Sequence, residues 1–312
     1  MSDLSRLAGA SSDDARRFFA EADPVALVES VTGTDDDALL ELLGTPEVRT
    51  AAIPGILDRL HEFAIPERLR AVSGVVRFDL LRRGRLLEQH ALEFAGGRIA
   101  RVDPGADADV VLSTSLLRFV RLVSGERNAG LEFLSGKLDI DGDADLALAV
   151  GGIFRVPGRG DVAVDPSALD PVDVATVLRD VPSDHLRKVM SGPFRRVVLG
   201  EIFRRLPDFV DPRKAARTEL VVAFRLTGGA GPEPERYVVA IDRGSARVLE
   251  EAEAGEGLER HATITCAGHD FLRLATGHLS PVTGVMRGTL KVRGDKARAL
   301  QLSSLIDFPQ PR

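Results

Sequence analysis

Apolar and polar positions alternate with a period of two in one stretch near the middle of each half of the chain. In VVRFDLL, the residues Val76, Phe78 and Leu80 fall on one side of an extended backbone, and LVVAFRL repeats this pattern from Leu220. Such alternation is typical of a strand in a sheet with one buried face. We therefore predict a one-sided sheet in each half, and the pair Gly96-Gly97 predicts a tight hairpin turn in the first.

Apolar positions at helical spacing predict helices on both sides of these strands. The segments LLRFVRLVSG and DFLRLATG are expected to end as helices at Gly125 and Gly277, because glycine favours the left-handed conformation at a helix end. Each half also begins with a helical preface, and in the first preface Pro54 is expected to break or kink the helix. The fold class predicted from these elements is α/β in the α+β sense.

The second half of the chain repeats the first. Residues 109–150 align without a gap on residues 261–302, and ten of the 42 positions are identical, where chance gives roughly one in 15. We predict two domains, 1–157 with a core at 75–154 and 158–312 with a core at 220–308. A stretch rich in Pro, Gly and Asp at 156–171 is the expected linker.

Composition narrows the class of protein further. The 312 residues are 44% hydrophobic and 28% charged, which is typical of soluble globular proteins. The amino terminus is acidic where a signal peptide is basic, and the single cysteine, Cys266, fits a reducing compartment. We therefore expect a cytoplasmic protein without a membrane-spanning segment. The excess of arginine over lysine, with abundant Ala, Gly and Asp, indicates a bacterial source.

The charge distribution bears on possible partners. A net charge of −6, with no Trp and one Tyr, gives no basis for nucleic-acid binding. Residues 183–217 nevertheless hold nine bases and four acids. These bases could simply cover solvated helix faces, or the part at 187–217 could make transient contact with an anionic membrane. A homo-oligomer is a further possibility that the sequence leaves open.

The residue types that carry chemistry do not form a convincing site. Imidazole and thiolate side chains are good zinc ligands. The second copy has four such side chains, but the first copy has a different residue at each equivalent position. The residues concerned are His261, Cys266, His269 and His278, which align with Asp109, Thr114, Leu117 and Glu126. A nucleophile pair of Cys266 and His269 would need an exposed thiol, which the end of a strand does not favour.

Two further motifs fail for similar reasons. Asp139, Asp141, Asp143 and Asp145 alternate as in a calcium loop, but the later glutamate of such loops is missing. No P-loop and no GxGxxG after a strand is present, so nucleotide binding has no support. We predict no metal, no cofactor and no catalytic residue.

The order of the motifs resembles the sterol carrier protein 2 family. A helix of the form FxRLxxG precedes a strand of the form GxLxxxGD at Phe119–Gly125 with Gly136–Asp143, and again at Phe271–Gly277 with Gly288–Asp295. The resemblance covers 75–154 and 220–308. It implies two tandem modules, each a roughly five-stranded mixed sheet covered by helices around an apolar tunnel for lipids, fatty acyl chains or sterols. It implies no shared catalytic residues.

The resemblance directs attention to apolar residues of the first core helix and the loop after it. The tunnel candidates are Phe119, Leu122, Leu131, Phe133 and Leu134 in the first copy, and Phe271, Leu274, Leu279, Val285 and Met286 in the second. The alternative is that these residues simply fill a core. We predict non-enzymatic binding or transfer of an apolar small molecule. The alternative function is an interaction or scaffold protein without ligand, and a hydrolase ranks last.

Overall fold

The computed structural model describes residues 4–156, 160, 162–250 and 259–312. The chain divides into two compact units, Met1–Asp165 (unit 1) and Pro166–Arg312 (unit 2). Part of the predicted linker, 157–159 and 161, lies outside the described residues, and the boundary after residue 157 stays a prediction. No helix in the described ranges is both long enough and apolar enough to cross a membrane.

Unit 1 begins with a preface of short helices. Their starts carry acidic or hydroxyl caps: the side chains of Ser11, Asp23 and Asp35 each accept a hydrogen bond from a backbone N–H of the first turn. The helices are α1 (Ser12–Glu21), α2 (Pro24–Thr32), α3 (Asp36–Gly44), α4 (Pro46–Asp58) and α5 (Pro66–Leu69), with 3-10 turns at Leu4–Leu7 and Leu60–Phe63.

Helix α4 continues through Pro54, so the predicted break there is wrong. The helix packs on α1 so closely that a Cβ added to Gly55 would lie 2.8 Å from the Cβ of Phe19. Ile53 and Leu57 of α4 are also almost completely buried. This burial outweighs the backbone hydrogen bond that proline removes, and the local sequence alone does not show it.

The sheet of unit 1 has five strands in the order β3-β2-β1-β4-β5. Strand β1 pairs in parallel with β4, and every other pairing is antiparallel, so the sheet is mixed as the family resemblance implied. Gly96 and Gly97 form the β2–β3 turn with φ of +57° and +76°. The strands are β1 (Gly74–Arg82), β2 (Arg85–Ala95), β3 (Arg98–Val102), β4 (Val110–Ser115) and β5 (Leu138–Gly142).

Three helices complete unit 1: α6 (Leu116–Val123), α7 (Ala129–Leu134) and α8 (Ala144–Ile153). Gly125 follows α6 with φ +75°, as predicted for a glycine after a helix. Asp143 caps α8 by accepting hydrogen bonds from the backbone N–H groups of Asp145 and Leu146 at 2.9 and 3.0 Å. Among them, α6 packs against β1 and β4 on the inner face of the sheet.

Unit 2 has the same organisation. Its sheet order is β10-β9-β6-β7-β8, again with one parallel pair, β6 with β9. The preface is α9 (Pro171–Leu178), α10 (Ser183–Ser191), α11 (Arg195–Arg205) and α12 (Pro212–Ala215), with 3-10 turns at Pro166–Ala168 and Leu206–Phe209. The strands are β6 (Glu219–Thr227), β7 (Glu235–Asp242), β8 (Ser245–Glu250), β9 (Ala262–Ala267) and β10 (Lys291–Gly294), and the remaining helices are α13 (Gly268–Ala275), α14 (Pro281–Met286) and α15 (Lys296–Leu305).

The preface of each unit is joined to the end of that unit's last helix in the same way. The N–H of Ile65 donates to the carbonyl of Ile153 at 2.7 Å, and the N–H of Asp211 donates to the carbonyl of Leu305 at 2.9 Å. These two bonds occupy equivalent positions in the two copies. The duplicated module therefore includes its preface as well as the sheet.

Candidate functional site

A row of four side chains crosses the inner face of the unit 1 sheet. His90, Phe78, Leu112 and Ile140 are successive register partners on β2, β1, β4 and β5. We call them the central row of unit 1. All four are half-buried, and Phe78 meets Phe119 of α6 edge to face with ring centroids 5.6 Å apart. The row therefore lies on the helix-covered side of the sheet.

The large apolar members of the rows on either side of the central row are buried. Towards one end of the strands, Leu92, Val76 and Val110 are at most 1% exposed. Towards the other end, Leu80 and Leu138 are 0% and 5% exposed. The apolar side chains of the central row thus stay half-buried between more deeply buried apolar neighbours, which is the pattern expected where covering helices leave a groove across a sheet.

The equivalent row in unit 2 is buried at its two middle positions and half-buried at its two ends. It consists of Tyr237, Phe224, Ile264 and Val292, and here Phe224 and Ile264 are only 4% and 6% exposed. Phe203 of α11 contacts Phe224 edge to face, with ring centroids 5.9 Å apart. Its ring stacks on Tyr237 with centroids 3.9 Å apart and on Phe271 at 4.9 Å.

A single exchange in the preface contributes to this difference. Phe203 lies 146 positions after Leu57, the same offset that relates the two prefaces. Leu57 is buried, at 1% exposure, but it is smaller than phenylalanine and has no flat ring to stack on its neighbours. A smaller, non-planar side chain therefore stands in unit 1 where Phe203 stands in unit 2.

A polar cluster lies at the β2 end of the central row of unit 1. Arg49 Nε donates to Glu88 Oε1 at 2.5 Å, and His90 Nε2 lies 3.1 Å from Glu88 Oε2. The side chains of the three residues are only 12–16% exposed. The hydrogen bond from His90 lowers the pKa of Glu88, burial opposes it, and Arg49 lowers it further, with the net effect a pKa below the ordinary value.

Unit 2 keeps the ion pair but surrounds it differently. Arg195, 146 positions after Arg49, binds both carboxylate oxygens of Glu235 at 2.8 and 2.7 Å and is 4% exposed. Its remaining N–H groups reach the carbonyls of Met190, Leu226 and Thr227. A Cβ on Gly268 would lie 2.3 Å from Arg195 Nη1, so glycine is required there, whereas unit 1 has Leu116 at that position.

The tunnel candidates predicted from the sequence fall into three groups. Phe119, Leu134, Phe271 and Leu274 are buried. Leu122, Leu131, Phe133, Leu279 and Val285 are half-buried. Met286 is 82% exposed and lies on the surface of α14. Among the ten candidates, Phe119 contacts the central row of unit 1 through the ring of Phe78.

Sequence reasoning missed the residues of the central row and its polar end. The alternation of β1 had placed Phe78 on the inner face, but no sequence signal ranked it above its neighbours. The repeat carried the missing signal: Arg49 and Glu88 recur as Arg195 and Glu235, while His90 corresponds to Tyr237 and Leu57 to Phe203. The sequence does not show which of these differences open a space.

The thiol of Cys266 is unsuited to nucleophilic catalysis. It is 3% exposed, and burial, with the charge of Asp270 adding to the effect, raises its pKa to about 12. His269 is engaged with Asp270, at 3.6 Å between Nε2 and Oδ2, and burial lowers its pKa. A thiolate is the reactive form of cysteine, and burial of this kind suppresses it.

This burial leads to a prediction about thiol reactivity. We expect an aromatic disulfide reagent at pH 8 to leave Cys266 unmodified in the folded protein over a time in which the urea-unfolded chain reacts completely, because the folded thiol has a pKa of about 12. Absorbance of the released thiol measures both rates. Comparable rates in the two states would contradict the buried placement of this side chain.

The other histidines considered for metal binding make local hydrogen bonds. His261 Nδ1 accepts from the N–H of Val221 at 3.0 Å, and His278 Nε2 lies 2.7 Å from the carbonyl oxygen of Ala175. Within the described ranges, no three His, Cys, Asp or Glu side chains are grouped so that they could hold a metal ion.

Unit 2 also has a polar surface pocket of about 460 Å³. Its lining residues are Ala216, Arg217, Glu219, Arg243 and Arg298. Arg243 is already paired with Glu219 at 2.6 Å, and both side chains are more than half exposed. The charged lining does not suit an apolar ligand.

Each unit is a mixed sheet covered by helices, and comparison with known protein families identifies this class of domain. The model of the SCP-2 sterol transfer family matches residues 56–155 and 199–307. The chain belongs to this family, with one match in each unit. The family resemblance and the fold class inferred from the sequence are thereby confirmed.

Several curated proteins are similar over parts of the chain. Human sterol carrier protein 2 is 32% identical over 85 residues, covering 27% of this chain and 15% of the human protein. Sterol carrier protein 2 of Gallus gallus is 32% identical over 213 residues, covering 68% and 35%. Hydroxysteroid dehydrogenase-like protein 2 of Danio rerio is 25% identical over 131 residues, covering 42% and 32%. The chain thus spans about a third or less of these relatives.

Solved structures resemble the chain more distantly. Palmitated SCP2L2 from Aedes aegypti is 18% identical with a TM-score of 0.29, covering 38% of this chain and 97% of that one. The sec-alkylsulfatase Pisa1 from Pseudomonas sp. is 14% identical with a TM-score of 0.32, covering 48% and 26%.

Proposed function

We propose that this protein binds or transfers an apolar small molecule of the fatty acyl, lipid or sterol-like kind. Membership in a sterol transfer family supports binding of this class of ligand. The observation that carries the proposal is the central row of unit 1, where half-buried apolar side chains lie between two buried rows. Each methylene that moves from water into such a groove contributes about 0.8 kcal/mol.

In this proposal unit 1 holds the ligand and unit 2 does not. The ligand lies along the central row, covered by Phe119 and the half-buried candidates Leu122, Leu131 and Phe133 of the same unit. The stacked Phe203 closes the corresponding row of unit 2. That closure favours for unit 2 the second candidate function, an interaction or scaffold role without ligand.

We further propose that the chain acts in the cytoplasm without catalysis, although relatives such as the hydroxysteroid dehydrogenase-like proteins are named as enzymes. Burial of the Cys266 thiol supports the absence of catalysis by this side chain. The proposal includes transient contact of the basic stretch 187–217 with an anionic membrane, and self-association of the chain. Arg195 cannot contribute to that contact because it is buried, whereas Arg196, Arg213 and Arg217 are exposed.

Uptake of an uncharged, pyrene-labelled long-chain hydrocarbon tests the proposal. We expect the protein to bind this probe and the variant Leu112→Trp to bind it at least tenfold more weakly. The larger ring would occupy the groove at little cost in stability, because Leu112 is only half-buried. Probe fluorescence measures binding, and thermal unfolding measures stability.

Ile264→Trp is the matched control in unit 2. Ile264 is 6% exposed, so the added volume should destabilise its unit by about 1–3 kcal/mol while probe binding stays unchanged. Absence of probe binding by the unmodified protein, together with no lipid in native mass spectra of the purified chain, would refute the carrier function. It would leave the scaffold role for both units.

A further inference from the structure

The polar end of the central row indicates which ligands unit 1 accepts. We propose that His90 offers a hydrogen-bond acceptor at the end of the groove, an inference that rests on the proposed function. Unit 1 then selects neutral amphiphiles with a hydroxyl head group over those with an ionised carboxylate. The inference depends on the position of His90, on which ring nitrogen carries the proton, and on the charges around it.

His90 is the last residue of the central row. Strand β3 pairs with β2 only at residues 91–95, so the row has no further strand beyond His90. On its other side lie Phe78, Leu112 and Ile140, which are apolar. A chain lying along this row would therefore have hydrocarbon neighbours along its length and an imidazole at one end.

The position of Glu88 determines which ring nitrogen of the His90 imidazole carries the proton. Its carboxylate accepts from Arg49 through Oε1, and its Oε2 lies 3.1 Å from His90 Nε2. The lowered pKa of Glu88 keeps this carboxylate ionised near neutral pH, so it can only accept. Nε2 of His90 therefore carries the proton, and in the neutral ring Nδ1 is left as an acceptor.

The Nδ1 atom is open to a ligand. Among the hydrogen bonds of the described residues, none involves His90 Nδ1. No buried side-chain nitrogen or oxygen in the described part of the chain lacks a partner, so an unpaired Nδ1 must be reachable from outside the protein. A hydroxyl group can donate to this nitrogen.

The charges of the cluster disfavour an anionic head group. The guanidinium of Arg49 is already engaged by Glu88 and by the carbonyl of Leu43, the latter at 3.3 Å. A ligand carboxylate next to His90 would meet the lone pair of Nδ1 and the charge of Glu88, without a free cation of the cluster to compensate. Desolvating such a charge without a partner is costly.

Unit 2 has no comparable acceptor. Tyr237 occupies the position of His90 in the register, and its ring is stacked under Phe203. The Arg195–Glu235 pair remains, and the ring of Tyr237 offers no imidazole nitrogen as an acceptor. The selectivity is therefore a property of unit 1, and Tyr237 supplies a matched control.

Competition between lauryl alcohol and laurate at neutral pH tests the inference, with the pyrene-labelled hydrocarbon as the displaced probe. We expect the alcohol to displace the probe at about a tenfold lower concentration than laurate, the effect of roughly one hydrogen bond. In His90→Phe this preference should vanish, measured as the ratio of the two displacing concentrations. Tyr237→Phe should retain the full preference.

Two kinds of outcome distinguish failure of the role of His90 from failure of the proposed carrier function. Equal displacement by both lipids, stronger displacement by laurate, or a preference that survives in His90→Phe would overturn the role of His90 and leave the carrier function intact. A probe that binds to none of the proteins would overturn the carrier function itself. His90→Gln, which keeps a side-chain acceptor, should restore part of the preference lost in His90→Phe.

Discussion

Replacement of Arg195 by methionine should lower the free energy of unfolding of unit 2 by about 3 kcal/mol. The variant removes both hydrogen bonds to Glu235 and leaves the carbonyls of Met190 and Leu226 without this donor, in a place where the guanidinium is 4% exposed. The only tyrosine, Tyr237, lies in unit 2, and the chain has no tryptophan. Urea titration followed by tyrosine fluorescence therefore reports this unit.

Arg204→Ala is the control for loss of an arginine. Arg204 pairs with Glu201 one helical turn away and is 53% exposed, so its loss should change the free energy of unfolding by less than about 0.5 kcal/mol. A small effect of Arg195→Met, similar to that of Arg204→Ala, would show that the buried network does not hold the preface to the sheet.

The same pair gives a pH dependence with a defined sign. Burial opposes ionisation of Glu235, but the hydrogen bond from Arg195 and its charge outweigh it and hold the pKa of this carboxyl below its ordinary value of 4.5. Its stabilising contribution is thus fully present above the unfolded pKa and is lost as the pH falls through the folded one. The difference in stability between the wild type and Arg195→Met should be largest where Glu235 is ionised in both folded proteins, and it should shrink as the pH falls and this carboxyl becomes protonated, first in the variant, where burial is no longer opposed by Arg195.

Phe203→Ala should destabilise unit 2 by about 3–5 kcal/mol. The ring contacts Tyr237, Phe271 and Phe224, and it is 3% exposed, so its removal leaves a cavity bordered by aromatic side chains. Urea titration with tyrosine fluorescence measures this loss as well. Bound hydrocarbon should partly reverse it, because the emptied space would resemble the groove of unit 1.

Val282→Ala is the control for truncating an apolar side chain in the same unit. Val282 is 54% exposed, so its loss should leave both the unfolding transition and the binding of hydrocarbon unchanged. If Phe203→Ala proves as mild as Val282→Ala, the ring is not what closes the row of unit 2.

The sequence was sufficient to predict most of the fold. Period-two alternation located β1 and β6, and the glycines at 125 and 277 marked the ends of α6 and α13. These features are local, so they can be read without the rest of the structure. The number and pairing of strands came from the family resemblance. The break predicted at Pro54 does not occur, because packing of α4 on α1, which is not local, outweighs the tendency of proline to end a helix.

The candidate site was less predictable, because a groove depends on which side chains leave space unfilled. Phe119 was a tunnel candidate and contacts Phe78, but the half-burial of Phe78 and Leu112 could be linked to Leu57 of another helix only by comparing the two units. The link between Arg49 and Glu88 joins a helix to a strand 39 residues away. No pattern within a single element contains either relation, although comparing the two copies afterwards makes both visible.

Photoaffinity labelling with a long-chain alcohol that carries a diazirine tests the central claim most directly. Peptide mapping after irradiation should place the label on the strands of unit 1 that contain Phe78 and Leu112, with excess lauryl alcohol preventing it. Label found mainly on the strands that contain Phe224 and Ile264, or no label that lauryl alcohol displaces, would contradict an open groove in unit 1 and a closed one in unit 2.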